Sequence, residues 1–326
     1  MLPDRYNMRN LIRSVRNPKI LLKESYRLYN SSIMKANSYR LKQKYGKGVD
    51  VMSEDWDNLI LLDACRYDYF FDAYEKSDLD GDLECRVSRA SQSWEFMEKN
   101  FEERELHDTV YVTANPHVEL LSDGIFYTIH PLLDQWNKKL GTVHPEDVVE
   151  AALSAHREHP NKRLIIHFMQ PHLPFLGSTA QKVRQQVNLK GFNNNEFRNG
   201  NGPSGKSWYQ FVKTDKISLS ETSQAYNETL EIALEHITVL VGQLGGKTII
   251  TSDHGEHLGE RIGPLGKRQY GHLGWETDMY TKELREVPWL SIPANQRREI
   301  QSDNPIEHDA LSDEIRDNRL EALGYL

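Results

Sequence analysis

Two adjacent polar residues, Asp253 and His254, come directly after the apolar, β-branched run Thr248 to Ser252. A run of this kind predicts a buried parallel strand, and polar residues at its end lie where ligands bind in an open α/β sheet. A carboxylate beside an imidazole suits a divalent metal, and Gly255 allows the backbone to turn sharply after the pair. The alternative is that the pair only opens a loop or caps a helix.

Two further segments repeat this arrangement of an apolar run followed by a polar residue. Asp63 ends the run Leu59 to Leu62, and His172 follows the run Arg163 to Met169. A lone histidine is usually structural, but the flanking prolines of His172 hold it rigidly in its loop. We therefore expect Asp63 and His172 at the same edge of the sheet as Asp253.

A cluster of serines over residues 88–93 precedes an apolar, helix-like segment that runs to Phe101. The ordinary interpretation is that one serine caps this helix. The functional interpretation is a hydroxyl nucleophile at a helix N-terminus, where free N–H groups and the helix dipole favour an anion. Both interpretations can hold, since one serine can cap while another attacks.

Predicted strands alternate with predicted helices along the whole chain, which indicates an α/β fold. We expect a mostly parallel central sheet with helices on both faces and a small C-terminal edge subdomain. The segment Val287 to Ile292 is predicted as an edge strand, because proline is tolerated at the edge of a sheet.

Length and composition exclude several classes of protein. The chain has 326 residues, of which 38% are hydrophobic, and no apolar run is long enough for a membrane span. The first residues lack the apolar core of a signal peptide, and two cysteines make no disulfide framework. We therefore expect a cytoplasmic protein.

Charge is divided unevenly along the chain. Residues 1–48 hold twelve Lys and Arg against Asp4 and Glu24, so this arm carries +10 and the remainder carries −18 of the total −8. An acidic body argues against a nucleic-acid partner. Apolar residues among the basic ones predict an amphipathic helix over 9–45 that is broken near Pro18. Such a helix either lies on an anionic membrane surface, at the inner membrane face, or packs on the domain.

Four segments together resemble the alkaline phosphatase superfamily and, within it, the branch of sulfatases and lipoteichoic acid synthases. The resemblance is carried by Leu61 to Asp68, Gln170 to Phe175, Thr251 to Glu256 and Val287 to Leu290. The sulfatase signature Cys-X-Pro/Ala-X-Arg, which yields a formylglycine, is absent, since Cys65-Arg66-Tyr67 directly follows an aspartate of the metal-binding type. The resemblance therefore implies a serine nucleophile.

The resemblance also implies a role for each matching residue. The metal ligands would be Asp63, Ser93, Asp253 and His254. The nucleophile would be Ser93, with Ser91 as the second choice. His172 and His272 match positions that bind the transferred oxyanion or protonate the leaving group, and Arg66 and Lys267 would add positive charge for the substrate anion.

The expected function is a metal-dependent, sulfatase-like hydrolase or phosphotransferase that acts on phosphate or sulfate esters of carbohydrates or lipid-linked molecules. Oxygen ligands with a single nitrogen favour one Mg²⁺, Mn²⁺ or Ca²⁺ ion, with Zn²⁺ as the alternative. A second ion, for which His167, His172 and His272 are the available residues, is not expected. The competing hypothesis is an inactive protein of the same fold that serves as a binding or scaffold module.

The predicted division of the chain has three parts. Residues 1–48 are the basic helical arm, 49–300 form the sulfatase-like domain, and 301–326 form a charged helix. Within the domain, residues 177–222 are polar and are interpreted as an insertion or a lid over the site.

Overall fold

The computed structural model describes residues 17–137, 140–187, 208–261, 266–272 and 280–306. Its nine strands are β1 (Asn58–Asp63), β2 (Asp82–Val87), β3 (Leu106–Thr113), β4 (Phe126–Pro131), β5 (Arg163–Pro171), β6 (Thr248–Ser252), β7 (Leu258–Arg261), β8 (Arg268–Tyr270) and β9 (Glu286–Ile292). Its α-helices are α1 (Pro18–Tyr45), α2 (Tyr67–Tyr74), α3 (Ser93–Asn100), α4 (Pro145–Glu158), α5 (Gly177–Gln186), α6 (Trp208–Lys213), α7 (Leu219–Val241) and α8 (Lys282–Arg285). Short 3-10 helices lie at Val51–Ser53, Pro116–Leu120 and Leu133–Gln135.

Seven strands form one sheet in the order β2-β9-β6-β1-β5-β3-β4. The five strands from β6 to β4 run parallel, while β9 is antiparallel to both of its neighbours. Strands β1, β6 and β5 are buried along nearly their whole length, as their continuous apolar sequences require. The predicted mostly parallel sheet is confirmed.

Alternate residues of the strands feed two separate apolar layers, which places helices on both faces as predicted. On one face, Ile60, Val112 and Ile166 pack against α2, α4 and α7. On the other face, Leu59, Tyr111 and Ile165 pack against α3 and the 3-10 segments. This period-two alternation is the ordinary consequence of the pleat.

Strand β9 corrects the prediction of an edge strand, because it lies between β2 and β6 and the edge is β2. Proline is tolerated there because the pairing of β9 with β6 ends at Trp289, one residue after Pro288 along the chain. Pro288 has a pairing partner only on the other side, where it lies opposite Cys85 of β2. Part of the expected C-terminal edge subdomain is the separate two-stranded sheet of β7 and β8.

The described part of the predicted insertion at 177–222 is packed rather than loose. Helices α5 and α6 form a third apolar cluster with α7 and Leu258. Helix α7 begins with a complete capping box between Ser218 and Glu221, which sets its N-terminus. Residues 188–207 lie outside the described residues, so the prediction of a lid is not tested.

The two ends of the chain are described in part. Helix α1 begins at Pro18, capped by the Asn17 side chain, so the predicted break near Pro18 is the start of the described helix. The prediction for residues 1–16 lies outside the described residues. Residues 301–306 are not helical, and the rest of the predicted C-terminal helix, 307–326, also lies outside them.

Candidate metal centre and active site

The carboxyl ends of β1 and β6 bring Asp63 and Asp253 together, as the sequence predicts. The two strands are parallel neighbours, with Leu62 opposite Ser252. The backbone N–H of Asp253 donates to the carbonyl of Leu62 at 3.3 Å, which fixes the second aspartate beside the first. Both carboxylates are fully buried.

The turn after β1 is shaped around Asp253. Ala64 has a φ of 59°, a left-handed conformation that costs a non-glycine residue free energy. Three contacts hold it there: its N–H donates to Asp253 Oδ1 at 3.0 Å, its carbonyl accepts the Tyr226 hydroxyl at 2.7 Å, and the next N–H, of Cys65, donates to Ser252 Oγ at 2.8 Å. The turn therefore orients one oxygen of Asp253 and leaves Oδ2 for another partner.

Among the eleven buried polar atoms without a hydrogen-bond partner in the described part of the chain are Asp63 Oδ1, Asp253 Oδ2 and His167 Nε2. These three residues each offer one ligand atom within 4.8 Å of the others. Buried polar groups are almost always satisfied, so three unsatisfied groups gathered in one place fit a cation. We call Asp63, His167 and Asp253 the carboxylate cluster.

Hydrogen bonds around the carboxylate cluster orient both imidazoles toward it. His254 Nδ1 donates to the carbonyl of Gly255 at 2.8 Å, so the other ring nitrogen, Nε2, carries the lone pair. This Nε2 lies 3.4 Å from Asp253 Oδ2. His167 Nδ1 lies 2.8 Å from the Tyr111 hydroxyl, and its Nε2 faces Asp253 Oδ2 at 3.7 Å. A neutral imidazole held this way is the usual form of a metal ligand.

Burial and neighbouring charges shift the pKa values of the two carboxylates in opposite directions. Burial and the neighbouring Asp253 charge raise the pKa of Asp63 well above its usual range. Burial would raise the pKa of Asp253 too, but His254 and His167 outweigh it and lower that pKa. A divalent cation would remove the repulsion that separates the two, which is a second sign that the site fits one.

Ser93 is the serine that joins the carboxylate cluster. It is the first residue of α3, it is fully buried, and its Oγ lies 3.2 Å from His254 Nε2 and 3.5 Å from Asp63 Oδ2. Ser91 is held elsewhere, because its Oγ donates to Glu95 at 2.9 Å. The structure thus brings Ser93 to the predicted ligands and does not bring Ser91.

A second group of buried residues lies beside His254. His172, Glu256 and His272 each offer one ligand atom within 4.8 Å of the others. The His272 ring lies 4.3 Å from the His254 ring and 5.1 Å from the His172 ring, centroid to centroid, and its Nδ1 is 3.2 Å from Glu256 Oε2. We call these three residues the histidine cluster. The structure therefore brings both predicted histidines, His172 and His272, to the site.

Burial decides the charge of the histidine cluster. It lowers the pKa of His172 to about 4, with the His272 charge adding to the effect, so His172 is neutral at pH 7. It also lowers the pKa of His272 well below its usual range. Burial raises the pKa of Glu256 to about 7 against the opposing effect of His172. Neutral imidazoles beside a weak carboxylic acid are suited to moving a proton.

The two residues expected to bind the substrate anion are placed differently from the prediction. The Arg66 guanidinium is buried and donates to Asp68 at 2.7 Å and to Glu260, so two carboxylates already neutralise it. It also donates to the Glu256 carbonyl at 3.3 Å, which makes it a brace between two loops. Lys267 lies outside the site, with its ammonium over the Tyr26 ring at 5.6 Å from the centroid.

Two site residues were missed from the sequence, and His167 was named there only as a residue available for a second ion. His167 lies inside β5, where an apolar context makes a histidine look structural. Asn115 follows β3 and donates to Asp63 Oδ2 at 2.8 Å, but in the sequence it is an ordinary turn residue. His117 accompanies it, with Nδ1 3.0 Å from Asn115 Oδ1. Their shared signal is position within β5 or after β3, the two strands that follow β1 in the order of the sheet, which only the strand order reveals.

Comparisons with known proteins give similar structures at low identity. Over 73% of its length the chain is similar to the integral membrane lipooligosaccharide phosphoethanolamine transferase A (EptA) of Neisseria meningitidis, with 10% identity and a TM-score of 0.47. It is also similar to the C-terminal periplasmic domain of Escherichia coli EptC in complex with Zn, with 13% identity, a TM-score of 0.42, and coverage of 73% of this chain and 72% of that one.

A third similar structure is a protein in the alkaline phosphatase superfamily from Vibrio parahaemolyticus, with 10% identity, a TM-score of 0.40, and coverage of 76% of this chain and 61% of that one. That is the superfamily which the motifs of this chain resemble. The chain spans 47% of the length of EptA. No family model and no curated protein matches the sequence. An activity therefore has to be argued from the side chains described above.

Proposed function

We propose that this chain is a metal-dependent hydrolase or transferase that acts on phosphate or sulfate esters through Ser93. The observation that carries the proposal is the set of three unsatisfied buried atoms, Asp63 Oδ1, Asp253 Oδ2 and His167 Nε2, on residues that come together beside the Ser93 hydroxyl. A scaffold or binding protein has no need to bury two carboxylates that each keep one unsatisfied oxygen next to a serine, because their desolvation destabilises the fold.

The residues that would hold the cation are Asp63, Asp253, His254 and Ser93, as expected, together with His167. Two imidazoles in place of one change the expected metal, because nitrogen-rich sets with carboxylates favour Zn²⁺ or Mn²⁺ over Mg²⁺ and Ca²⁺. A cation bound there would lower the pKa of the serine hydroxyl and offset negative charge on the transferred group.

Ser93 is the nucleophile in this proposal. The free N–H groups at the start of α3 and the dipole of the helix favour negative charge at its oxygen. Its hydroxyl proton passes to Asp63 Oδ2, 3.5 Å away, its oxygen attacks the phosphorus or sulfur, and the bond to the alcohol oxygen breaks. The group stays on the serine until water or an acceptor alcohol removes it. Asp63 and His254 orient the hydroxyl from two sides.

The histidine cluster supplies the proton for the leaving alcohol. Because both imidazoles are neutral at pH 7, the proton comes from Glu256, whose pKa of about 7 leaves it partly protonated, and it passes through the His272 ring. His272 lies beside both other histidines, with its ring 4.3 Å from that of His254 and 5.1 Å from that of His172, centroid to centroid. Glu256 Oε2 lies 3.2 Å from its Nδ1 and orients the ring. A carboxylate that orients an imidazole in this way is a common arrangement for general acid–base catalysis.

From the resemblance we propose that the ester is carried by a carbohydrate or a lipid-linked molecule. The test of the reaction uses aryl phosphate and aryl sulfate, each with and without EDTA, on wild type, Ser93→Ala and Ser91→Ala. Loss of Ser93 should lower kcat about 1,000-fold or more, as for other removed nucleophiles. Ser91→Ala is a matched control, since it makes the same change two residues away on a side chain that faces Glu95.

Two results would overturn the proposal. One is turnover that EDTA does not change, since the carboxylate cluster would then play no part in the reaction. The other is a Ser93→Ala rate equal to that of Ser91→Ala, which would move the nucleophile to water or another group. Comparison of the phosphate and sulfate rates then decides the ester class.

A further inference from the structure

Helix α1 lies against the domain along one of its faces. Asn30 Oδ1 accepts from the Lys267 N–H at 2.9 Å, Ser38 Oγ accepts from the Tyr280 N–H at 3.0 Å, and the Tyr45 hydroxyl donates to Glu286 at 2.7 Å. These contacts are spread from Asn30 to Tyr45, the last residue of the 28-residue helix. They fix which face of the helix points away from the domain.

The outward face of α1 carries a stripe of large apolar side chains. The stripe consists of Leu21, Leu22, Leu28, Tyr29 and Tyr39, which are between 37% and 70% exposed. At about 100° per residue these five positions fall within an arc of about 120°. They make up more than half of the nine exposed large hydrophobic residues found in the described parts of the chain. Concentration on one helix face distinguishes them from the scattered apolar residues of an ordinary surface.

Positive charge surrounds this apolar stripe. The helix holds seven Lys and Arg against the single Glu24, a net charge of +6, although the whole chain carries −8. The exposed residues Lys35 and Lys42 border the stripe on one side and Arg40 borders it on the other. An apolar face flanked by cations matches the layers of an anionic bilayer, where acyl chains lie beneath charged headgroups.

We propose that the outward face of α1 lies on the surface of an anionic lipid bilayer. The described helices are all too short or too polar to cross such a bilayer, so the contact is parallel to the surface. The cations favour lipid over an apolar protein groove, because such a groove would offer Lys35 and Arg40 no counter-charges. Helix α1 contacts Lys267 on its opposite face, so the helix lies between the bilayer surface and the domain.

Vesicle co-sedimentation of the full chain tests the proposal independently of any enzymatic activity. The vesicles are phosphatidylcholine alone and phosphatidylcholine with about one third phosphatidylglycerol. We expect binding to the anionic vesicles that weakens with salt. The combined variant Leu21→Gln, Leu22→Gln and Leu28→Gln should bind these vesicles at least about tenfold more weakly than wild type. Glutamine keeps the helix propensity but removes the apolar face.

A matched control carries the same change at exposed apolar residues outside the helix, Val239→Gln with Leu120→Gln, and should bind like wild type. A third variant, Lys35→Glu with Arg40→Glu, should lose the preference for anionic vesicles. Thermal unfolding of each variant checks that the domain is intact.

Each of three results would overturn the proposal: no binding to anionic vesicles, equal binding to both vesicle types, or wild-type binding by the triple glutamine variant. A wild-type dimer that the triple glutamine variant converts to a monomer, without vesicle binding, would assign the face to a second copy of the chain. All of these outcomes are separate from the turnover experiment with Ser93→Ala.

Discussion

Replacement of Arg285 by methionine tests how the serine segment is held in place. Arg285 and Glu95 are each about 1% exposed, and Arg285 Nη2 lies 3.4 Å from Glu95 Oε1. Glu95 also accepts from the Ser91 N–H at 2.7 Å, two residues before Ser93, and Arg285 donates to the Ser88 carbonyl at 3.2 Å. The buried ion pair therefore connects the segment that carries the nucleophile to the start of β9.

The expected cost follows from what the methionine leaves behind. Removal of one partner of a buried ion pair usually costs about 3 to 5 kcal/mol, because the other charge stays buried. Glu95 keeps Lys99, whose Nζ lies 2.6 Å away, and keeps Ser91, so we expect the lower end, about 3 kcal/mol. For a chain of 326 residues this corresponds to a fall in Tm of about 4 to 5 °C.

Urea unfolding measures this loss, with the ion pair of Lys76 and Glu231 as a matched control. That pair has the same N–O distance of 3.4 Å but side chains 65% and 39% exposed, so Lys76→Met should cost less than about 1 kcal/mol. The double variant Arg285→Met with Glu95→Gln should cost less than the two single changes added together. Equal costs for Arg285→Met and Lys76→Met would refute the reasoning, since burial would then have no effect on the pair.

Two further predictions concern the site and its surroundings. Tyr111→Phe removes the hydroxyl that lies 2.8 Å from His167 Nδ1, and it should weaken metal binding about 10- to 100-fold in a metal titration. An unchanged metal affinity would show that His167 is not a ligand. Burial opposes a lower pKa for Glu260, but contact with His257 and Arg66 outweighs burial and lowers that pKa to about 2. The ionised Glu260 therefore contributes its full stabilisation above about pH 4.5, and this contribution is lost as the pH falls toward 2. Glu260→Gln should therefore flatten the fall in unfolding free energy between neutral and acid pH, and a slope equal to that of wild type would contradict this.

Much of the fold could be predicted because strand and helix patterns are local. The apolar run ending at Asp63 predicts β1, which the structure places at Asn58–Asp63. The place of β9 could not be predicted in the same way. A proline shows only that one hydrogen bond of the ladder between strands is missing. An edge strand tolerates this loss, and so does an inner strand whose pairing with one neighbour ends before the proline, as in β9.

The candidate site could be predicted at the ends of β1 and β6, whereas His167 was expected only for a second ion and Asn115, which follows β3, was missed. Asp63, Asp253 and His254 stand at strand ends, while His167 lies within β5 opposite Leu61 of β1. Ser93 and Ser91 could not be separated from sequence, because only the position of Glu95 decides which hydroxyl is already bonded. Lys267 is near His272 in sequence, but its side chain lies over α1 instead.

The most direct test of the account is the metal content of the purified chain. Wild type, Asp253→Asn and Glu256→Gln are each dialysed to equilibrium against Zn²⁺ or Mn²⁺, and their bound metal is measured by elemental analysis. Glu256→Gln is the control, because it changes the neighbouring histidine cluster and not the carboxylate cluster. The account predicts that wild type and Glu256→Gln hold an ion at the carboxylate cluster, and that Asp253→Asn loses one equivalent. Wild-type metal content in Asp253→Asn would contradict the central claim that Asp63, His167 and Asp253 together bind a cation beside Ser93.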